Sequence, residues 1–165
     1  MFKPGRLRAL GAMSGTSLDG VDAAVIETDG HEVFAFGPTA FQPYTGAQQA
    51  TLRAALGKWP EDDIAEATEI VETVHAQVLS RFDDVDVVGF HGQTLAHDPG
   101  GRGTNPTGDG ALLAATLNQP LVWAYRSAHV DSGVHGAPRG RPDHIARAMA
   151  RTPEAHLAFV LPAPV

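Results

Sequence analysis

The chain has 165 residues, a formal net charge of −7 and no cysteine. This length suits one domain with a hydrophobic core of its own. The acidic balance argues against a nucleic-acid or membrane partner, because both need clustered Lys and Arg side chains, and the lack of cysteine excludes disulfides and thiolate metal sites. We find no secretory signal and no apolar run long enough to cross a bilayer, so we expect a cytoplasmic protein.

The first informative stretch is residues 11–22, which read Gly-Ala-Met-Ser-Gly-Thr-Ser-Leu-Asp-Gly-Val-Asp. Strands are predicted on either side of a tight polar turn, over Arg8–Met13 and Val21–Thr28. Glycines let such a turn bring backbone N–H groups close to a phosphate, and Asp19 is a candidate ligand for Mg²⁺. The alternative is a hairpin turn that is merely solvated. The predicted phosphate-binding residues are Gly15, Thr16, Ser17, Leu18, Asp19, Gly20, Val21 and Asp22.

The next elements are a strand and two helices. Asp29-Gly30 is a two-residue hairpin signal, and the strand His31–Phe36 follows it to complete an antiparallel meander. A short helix is predicted over Gln48–Leu56. A longer helix is predicted over Glu61–Phe82, because its apolar residues recur at helical spacing and define one buried stripe.

Two features of the longer helix can be predicted from its sequence. Its acids concentrate at the start, in Glu61, Asp62 and Asp63, where they favour the positive end of the helix dipole. His75 neighbours the apolar stripe, which indicates a packed histidine and not a ligand.

Val85–Phe90 is almost continuously apolar and β-branched, which is typical of a strand covered on both faces. It leads into His91-Gly92-Gln93-Thr94, and polar groups at the carboxyl end of a central strand can meet a ligand in the crevice beyond it. We therefore predict a substrate-binding role for His91, Gln93 and Thr94. A metal site of His91, His97 and Asp98 is an alternative, although this spacing matches no recognised ligand motif.

Residues Gly100–Gly110 are predicted to form a glycine-rich surface loop, which lacks the signatures of a P-loop and of a dinucleotide site. Asp109 is predicted to cap the helix Gly110–Leu117, and contact with substrate is an equally weighted alternative. An apolar strand is then predicted over Pro120–Tyr125.

Four stretches in this order resemble the anhydro-N-acetylmuramic acid kinases, a family in the actin-like ATPase group. They are the 11–22 loop, Gly89–Thr94, Gly108–Ala114, and Arg126–Ala128 followed by Gly136-Ala137-Pro138. The resemblance implies an α/β fold: a ribonuclease-H-like first lobe with a mixed sheet flanked by helices, the second lobe being absent. The order of elements alone indicates only a mixed α/β protein.

The resemblance also implies an activity. It predicts an ATP- and Mg²⁺-dependent kinase that converts 1,6-anhydro-N-acetylmuramic acid to N-acetylmuramic acid 6-phosphate during recycling of bacterial cell-wall amino sugars. It adds Arg126 to the substrate residues. The family's general base is an aspartate at the position that His129 occupies here, with Asp131 two residues later. Both are the catalytic candidates, and a displaced base predicts a lower rate.

Beyond residue 138 the resemblance weakens. We predict a kinase lobe over 1–138 and a divergent tail over 139–165, either disordered or produced by a change of reading frame. A second chain that continues the lobe is the competing explanation. The alternative function is a non-catalytic lobe that binds sugar or nucleotide, and an uncovered apolar face is expected to favour a homodimer.

Overall fold

The computed structural model describes residues 5–98, 100–123 and 158–160. Within these residues one mixed sheet has the strand order β3-β2-β1-β4-β6-β7, and β5 pairs with β4 outside this path. The elements in chain order are β1 (Leu7–Ser14), β2 (Gly20–Thr28), β3 (Val33–Pro43), α1 (Gly46–Ala55), α2 (Ala65–Leu79), β4 (Val87–Asp98), β5 (Gly103–Thr107), α3 (Gly110–Leu117), β6 (Leu121–Trp123) and β7 (Ala158–Val160).

Strands β1, β2 and β3 form an antiparallel meander, and β4 and β6 run parallel to β1. Parallel neighbours need long crossover connections, which α1 and α2 supply before β4 and α3 supplies before β6. This arrangement confirms the predicted ribonuclease-H-like lobe with its mixed sheet and flanking helices. No helix within the described ranges is long and apolar enough to span a membrane.

The main core lies between the sheet and the three helices. Alternate residues of a strand point to opposite faces, so Leu10, Val88 and Leu121 pack in this core while their neighbours Ala9, Val87 and Val122 form a smaller cluster on the other face. The buried residues of α2 are Ala67, Val71, Val74, His75, Val78 and Leu79. They confirm the predicted apolar stripe and the packed position of His75.

Strand β4 changes partners along its length. Its first half pairs with β1 and β6, whereas the residues from Gln93 onward pair with β5. The register against β1 shifts between Ala12, opposite Phe90, and Ser14, opposite Gln93, so β4 contains one extra residue there. Gly92 lies within this bulge with φ of +71°, a conformation that glycine adopts without strain.

The longer predicted helix starts too early. Residues before Ala65 form turns, in which the Trp59 N–H donates to Asp62 Oδ2 at 2.7 Å and the Asp62 N–H donates to the Trp59 carbonyl at 2.9 Å. Glu61 pairs instead with Arg102, whose guanidinium also lies 4.2 Å from the Trp59 ring centroid. The predicted acidic first turn is therefore wrong, and Glu66 is the acid there.

The extent of three predicted strands and loops also differs from the structure. The predicted 100–110 loop contains β5, because its residues Gly103–Thr107 pair with the far half of β4. Strand β4 consequently continues to Asp98 and does not end at Phe90. Strand β3 extends to Pro43, and the β2–β3 connection is a four-residue turn that begins at Asp29, longer than the predicted two-residue turn.

Candidate functional site

The Gly15–Asp19 loop joins β1 to β2 at one edge of the sheet. The Leu18 N–H donates to the Gly15 carbonyl at 3.1 Å, which closes a turn with Thr16 and Ser17 exposed at its tip. Leu18 has φ of +57° but its side chain is buried in the main core. Burial of this side chain offsets the cost of a left-handed conformation and fixes the loop to the domain.

Asp19 is the exposed carboxylate of this loop. Its Oδ1 accepts hydrogen bonds from Ser17 Oγ at 2.7 Å and from the Gly20 N–H at 3.1 Å. The Ser17 hydroxyl is the largest cause that lowers the pKa of Asp19, whereas desolvation and then the nearby Asp19 charge raise the pKa of Asp22. Asp19 is therefore ionised and accessible, properties that suit a ligand of Mg²⁺ held beside phosphate oxygens.

No group of three or more His, Asp or Glu side chains in the described part of the chain could hold a metal ion. The alternative metal site of His91, His97 and Asp98 is therefore wrong. His97 and Asp98 are exposed near the end of β4, whereas His91 is buried and its Nδ1 lies 2.8 Å from the Gly92 carbonyl.

A buried polar cluster of Ser14, Tyr44 and Gln93 lies next to the loop, where the end of β1 pairs with β4. Ser14 Oγ lies 2.9 Å from the Tyr44 hydroxyl and donates to Gln93 Oε1. Gln93 is 0% exposed, and its Nε2 donates to the Thr94 carbonyl at 3.3 Å. Gln93 is thus held inside the domain, next to His91 and Thr94, which are buried as well.

Asp109 begins α3 as predicted. Its Oδ1 accepts hydrogen bonds from the N–H groups of Ala111 at 2.7 Å and Leu112 at 3.2 Å. Its own N–H donates to Glu72 Oε1 on α2 at 2.8 Å. The preceding Gly108 packs so tightly on Phe90 that an added Cβ would lie less than 3.0 Å from the ring.

Replacing Asp109 tests its capping role. We expect Asp109→Ala to lower the free energy of unfolding by about 1 kcal/mol, because two N–H groups lose their acceptor. Asp109→Asn keeps an acceptor oxygen, so it should stay within a few tenths of a kcal/mol of the parent. Urea denaturation measures both, and equal losses in the two variants would contradict the capping role.

Comparison with known proteins matches residues 7–159 to the family described as Anhydro-N-acetylmuramic acid kinase. The chain belongs to this family. The match covers more than half of the chain, and it includes every described residue of the candidate site.

Three relatives named anhydro-N-acetylmuramic acid kinase illustrate the similarity. The chain is 52% identical to the one from Cereibacter sphaeroides over 161 residues, which are 97% of this chain and 43% of the relative. It is 53% identical to the one from Ruegeria sp. (strain TM1040) over 136 residues, 82% of this chain and 36% of the relative. It is 49% identical to the one from Roseobacter denitrificans over 158 residues, 96% and 42% of the two chains. The chain thus spans less than half the length of these anhydro-N-acetylmuramic acid kinases.

Several predicted residues lie outside the described ranges. These are Arg126, His129 and Asp131, together with almost all of the tail. The family match reaches residue 159, and the division of the chain at residue 138 stays a prediction.

Sequence reasoning missed two residues that support the candidate site from behind, Tyr44 and Glu72, which bond to Ser14 and Asp19 and to Asp109 respectively. Tyr44 lies between a strand and a helix cap, and Glu72 lies on the polar side of α2. Neither belongs to a local motif, and only the strand register and helix packing bring them to the site.

Proposed function

We propose that this chain is the lobe of an ATP-dependent kinase that binds the phosphates of ATP and 1,6-anhydro-N-acetylmuramic acid. One observation carries the proposal beyond family membership. The Gly15–Asp19 loop and the bulge of β4 lie at the same edge of the sheet, because Ser14 is paired with Gln93. Carboxyl ends of neighbouring parallel strands are the usual place for ligands in α/β proteins.

The polar groups of the loop differ in whether they are already hydrogen-bonded within it. The N–H groups of Leu18 and Gly20 are already bonded within the loop, and the Ser17 hydroxyl donates to Asp19. We infer that Thr16, at the exposed tip, supplies the side-chain donor for phosphate, while Asp19 helps to hold Mg²⁺. When bound, Mg²⁺ neutralises charge on the phosphate oxygens.

The sugar side of the proposed site is formed by β4 and α3. His91 and Thr94 are its candidate contacts from β4, with Asp109 and Arg126 as further candidates. Gln93 is fully buried and hydrogen-bonded, so it orients this part of β4. We assign the general base to His129, which accepts a proton from the water that opens the anhydro ring, while the released oxygen takes the γ-phosphoryl group.

Binding of Mg-ATP tests the phosphate loop. We expect Asp19→Asn to weaken the binding of Mg-ATP about tenfold, equivalent to about 1.4 kcal/mol, because an amide is a poor Mg²⁺ ligand. Asp29→Asn is a matched control, since Asp29 is also an exposed turn carboxylate with a lowered pKa, whose main cause is its hydrogen bonds from Glu32 and His31. Isothermal titration calorimetry measures both. Equal weakening by the two variants, or no effect of either, would contradict the proposed role of the Gly15–Asp19 loop in binding Mg-ATP.

Turnover is tested by coupled release of ADP from Mg-ATP and 1,6-anhydro-N-acetylmuramic acid. We propose that the parent chain turns over slowly, because His129 differs in reach and charge from a carboxylate. Activity restored in His129→Asp would support this assignment. Binding of either ligand without turnover in both proteins would favour the non-catalytic binding lobe. The proposal includes a cytoplasmic location, where ATP is available.

A further inference from the structure

Tyr44 touches both halves of the proposed site. It follows β3 directly, it is 4% exposed, and its hydroxyl lies 2.9 Å from Ser14 Oγ at the end of β1. Its backbone N–H donates to the Asp19 carbonyl at 3.1 Å. One residue therefore contacts the end of the phosphate loop and, through Ser14, the polar cluster beside β4.

The direction of the hydrogen bonds in this cluster follows from the proton count. A serine hydroxyl has one proton, and that of Ser14 is donated to Gln93 Oε1. Ser14 must then accept from the Tyr44 hydroxyl. Burial is the main cause that raises the pKa of Tyr44, so the phenol keeps its proton at neutral pH.

The series of hydrogen bonds continues from Ser14 into β4. With Oε1 occupied by Ser14, the Gln93 amide turns its Nε2 toward the Thr94 carbonyl, to which it donates. Tyr44, Ser14, Gln93 and Thr94 thus form one directed series of hydrogen bonds. Such buried series specify a single arrangement, because any reversal leaves a donor or an acceptor without a partner.

We propose that Tyr44 is a positioning residue that holds the Gly15–Asp19 loop and the bulge of β4 in one fixed relation. This inference rests on the proposed function for the identity of the two ligands, phosphate at the loop and sugar at β4. Reacting groups must be held within a fraction of an ångström for efficient transfer. A shared support for both halves of the site meets this requirement.

Amide hydrogen exchange tests the link without any ligand. Tyr44→Phe removes only the hydroxyl and keeps the ring and the backbone bond to Asp19. We expect faster exchange, by about three- to tenfold, in two segments at once, 15–20 and 92–95, as the loss of one buried hydrogen bond predicts. Ser14→Ala, which removes the middle of the series, should produce the same two changes.

Thr28→Val is the matched control. Thr28 is also a buried hydroxyl, 1% exposed, and it donates to the Glu32 carbonyl at 2.7 Å at the other end of β2. The Thr28→Val variant should leave the exchange rates of segments 15–20 and 92–95 unchanged. The inference is overturned if Tyr44→Phe affects only one segment or neither, or if Thr28→Val affects both equally.

Calorimetry then tests the consequence for ligands. In the parent chain we expect bound 1,6-anhydro-N-acetylmuramic acid to tighten the binding of Mg-ATP, and in Tyr44→Phe we expect this coupling to fall at least threefold with each separate affinity little changed. A parent chain that binds neither ligand would refute the proposed function, and the exchange result would still decide the link. Equal coupling in the parent and Tyr44→Phe would overturn the inference itself.

Discussion

Replacing Gly92 with alanine is expected to lower the free energy of unfolding by about 3 kcal/mol. Gly92 has φ of +71°, which costs an L-residue about 1 kcal/mol. An added Cβ would also lie less than 3.0 Å from the Thr107 carbonyl oxygen of β5. That oxygen cannot retreat without disturbing the pairing of Gln93 with Thr107, and such overpacking adds about 2 kcal/mol. Urea denaturation of Gly92→Ala measures the sum.

Gly57→Ala separates the two causes. Gly57 has φ of +84°, yet an added Cβ would meet no atom within 4 Å. We expect this variant to lose only about 1 kcal/mol, the cost of the left-handed conformation. Equal losses in Gly57→Ala and Gly92→Ala would show that the close approach of β4 and β5 contributes nothing.

Acidification from pH 7 to pH 4 is expected to cost the protein about 3 kcal/mol of stability through His75 alone. This histidine is 0% exposed, and desolvation is the main cause that lowers its pKa to about 4. Its ring meets the Phe90 ring in a T-shaped contact, with the two centroids 4.9 Å apart. In the unfolded chain the pKa returns to about 6.5, so the unfolded state takes up a proton first. The stabilising effect of the neutral ring is complete above pH 6.5 and is lost as the pH falls to 4.

The variant His75→Leu isolates this effect. The remaining titratable groups are present in both proteins, so the difference between the two pH profiles reports His75 together with its interaction with the charge of His91, which also lowers the pKa of His75. Urea denaturation at pH 7, 5.5 and 4 should show a steeper loss in the parent, with the difference reaching about 3 kcal/mol at pH 4. Parallel pH profiles would mean that His75 is not held neutral by burial. His75→Gln serves the same purpose if leucine impairs folding.

The strands around the Gly15–Asp19 loop could be predicted from local sequence. Alternating apolar residues on both sides of residues 15–19 indicate β1 and β2, and their pairing places Met13 opposite Asp22. The cap of α3 is equally local, because Asp109 and the N–H groups that it accepts from are within three residues. Both features can be read from neighbouring residues, because they depend on the periodicity of apolar residues and on hydrogen bonds between a side chain and backbone groups a few residues away.

The rest of the candidate site depends on contacts between distant residues. Strand β5 has no apolar alternation, and its residues Gly103–Thr107 become a strand only because the far half of β4 lies beside them. The start of α2 is displaced because Glu61 pairs with Arg102, which is far along the chain. Tyr44 reaches Ser14 and, through it, Gln93 by the same kind of long-range register. Local propensity carries no information about these partners.

The buried position of Leu18 has an entropic consequence for ligand binding. Its side chain lies in the core, the turn at Gly15 is closed, and Asp19 is bonded to Ser17 and Gly20. The backbone of the loop therefore loses its conformational freedom when the domain folds, at a cost of about 1–2 kcal/mol per residue. A phosphate that binds at the tip meets a loop already in place, so little of its interaction energy is spent on ordering the chain.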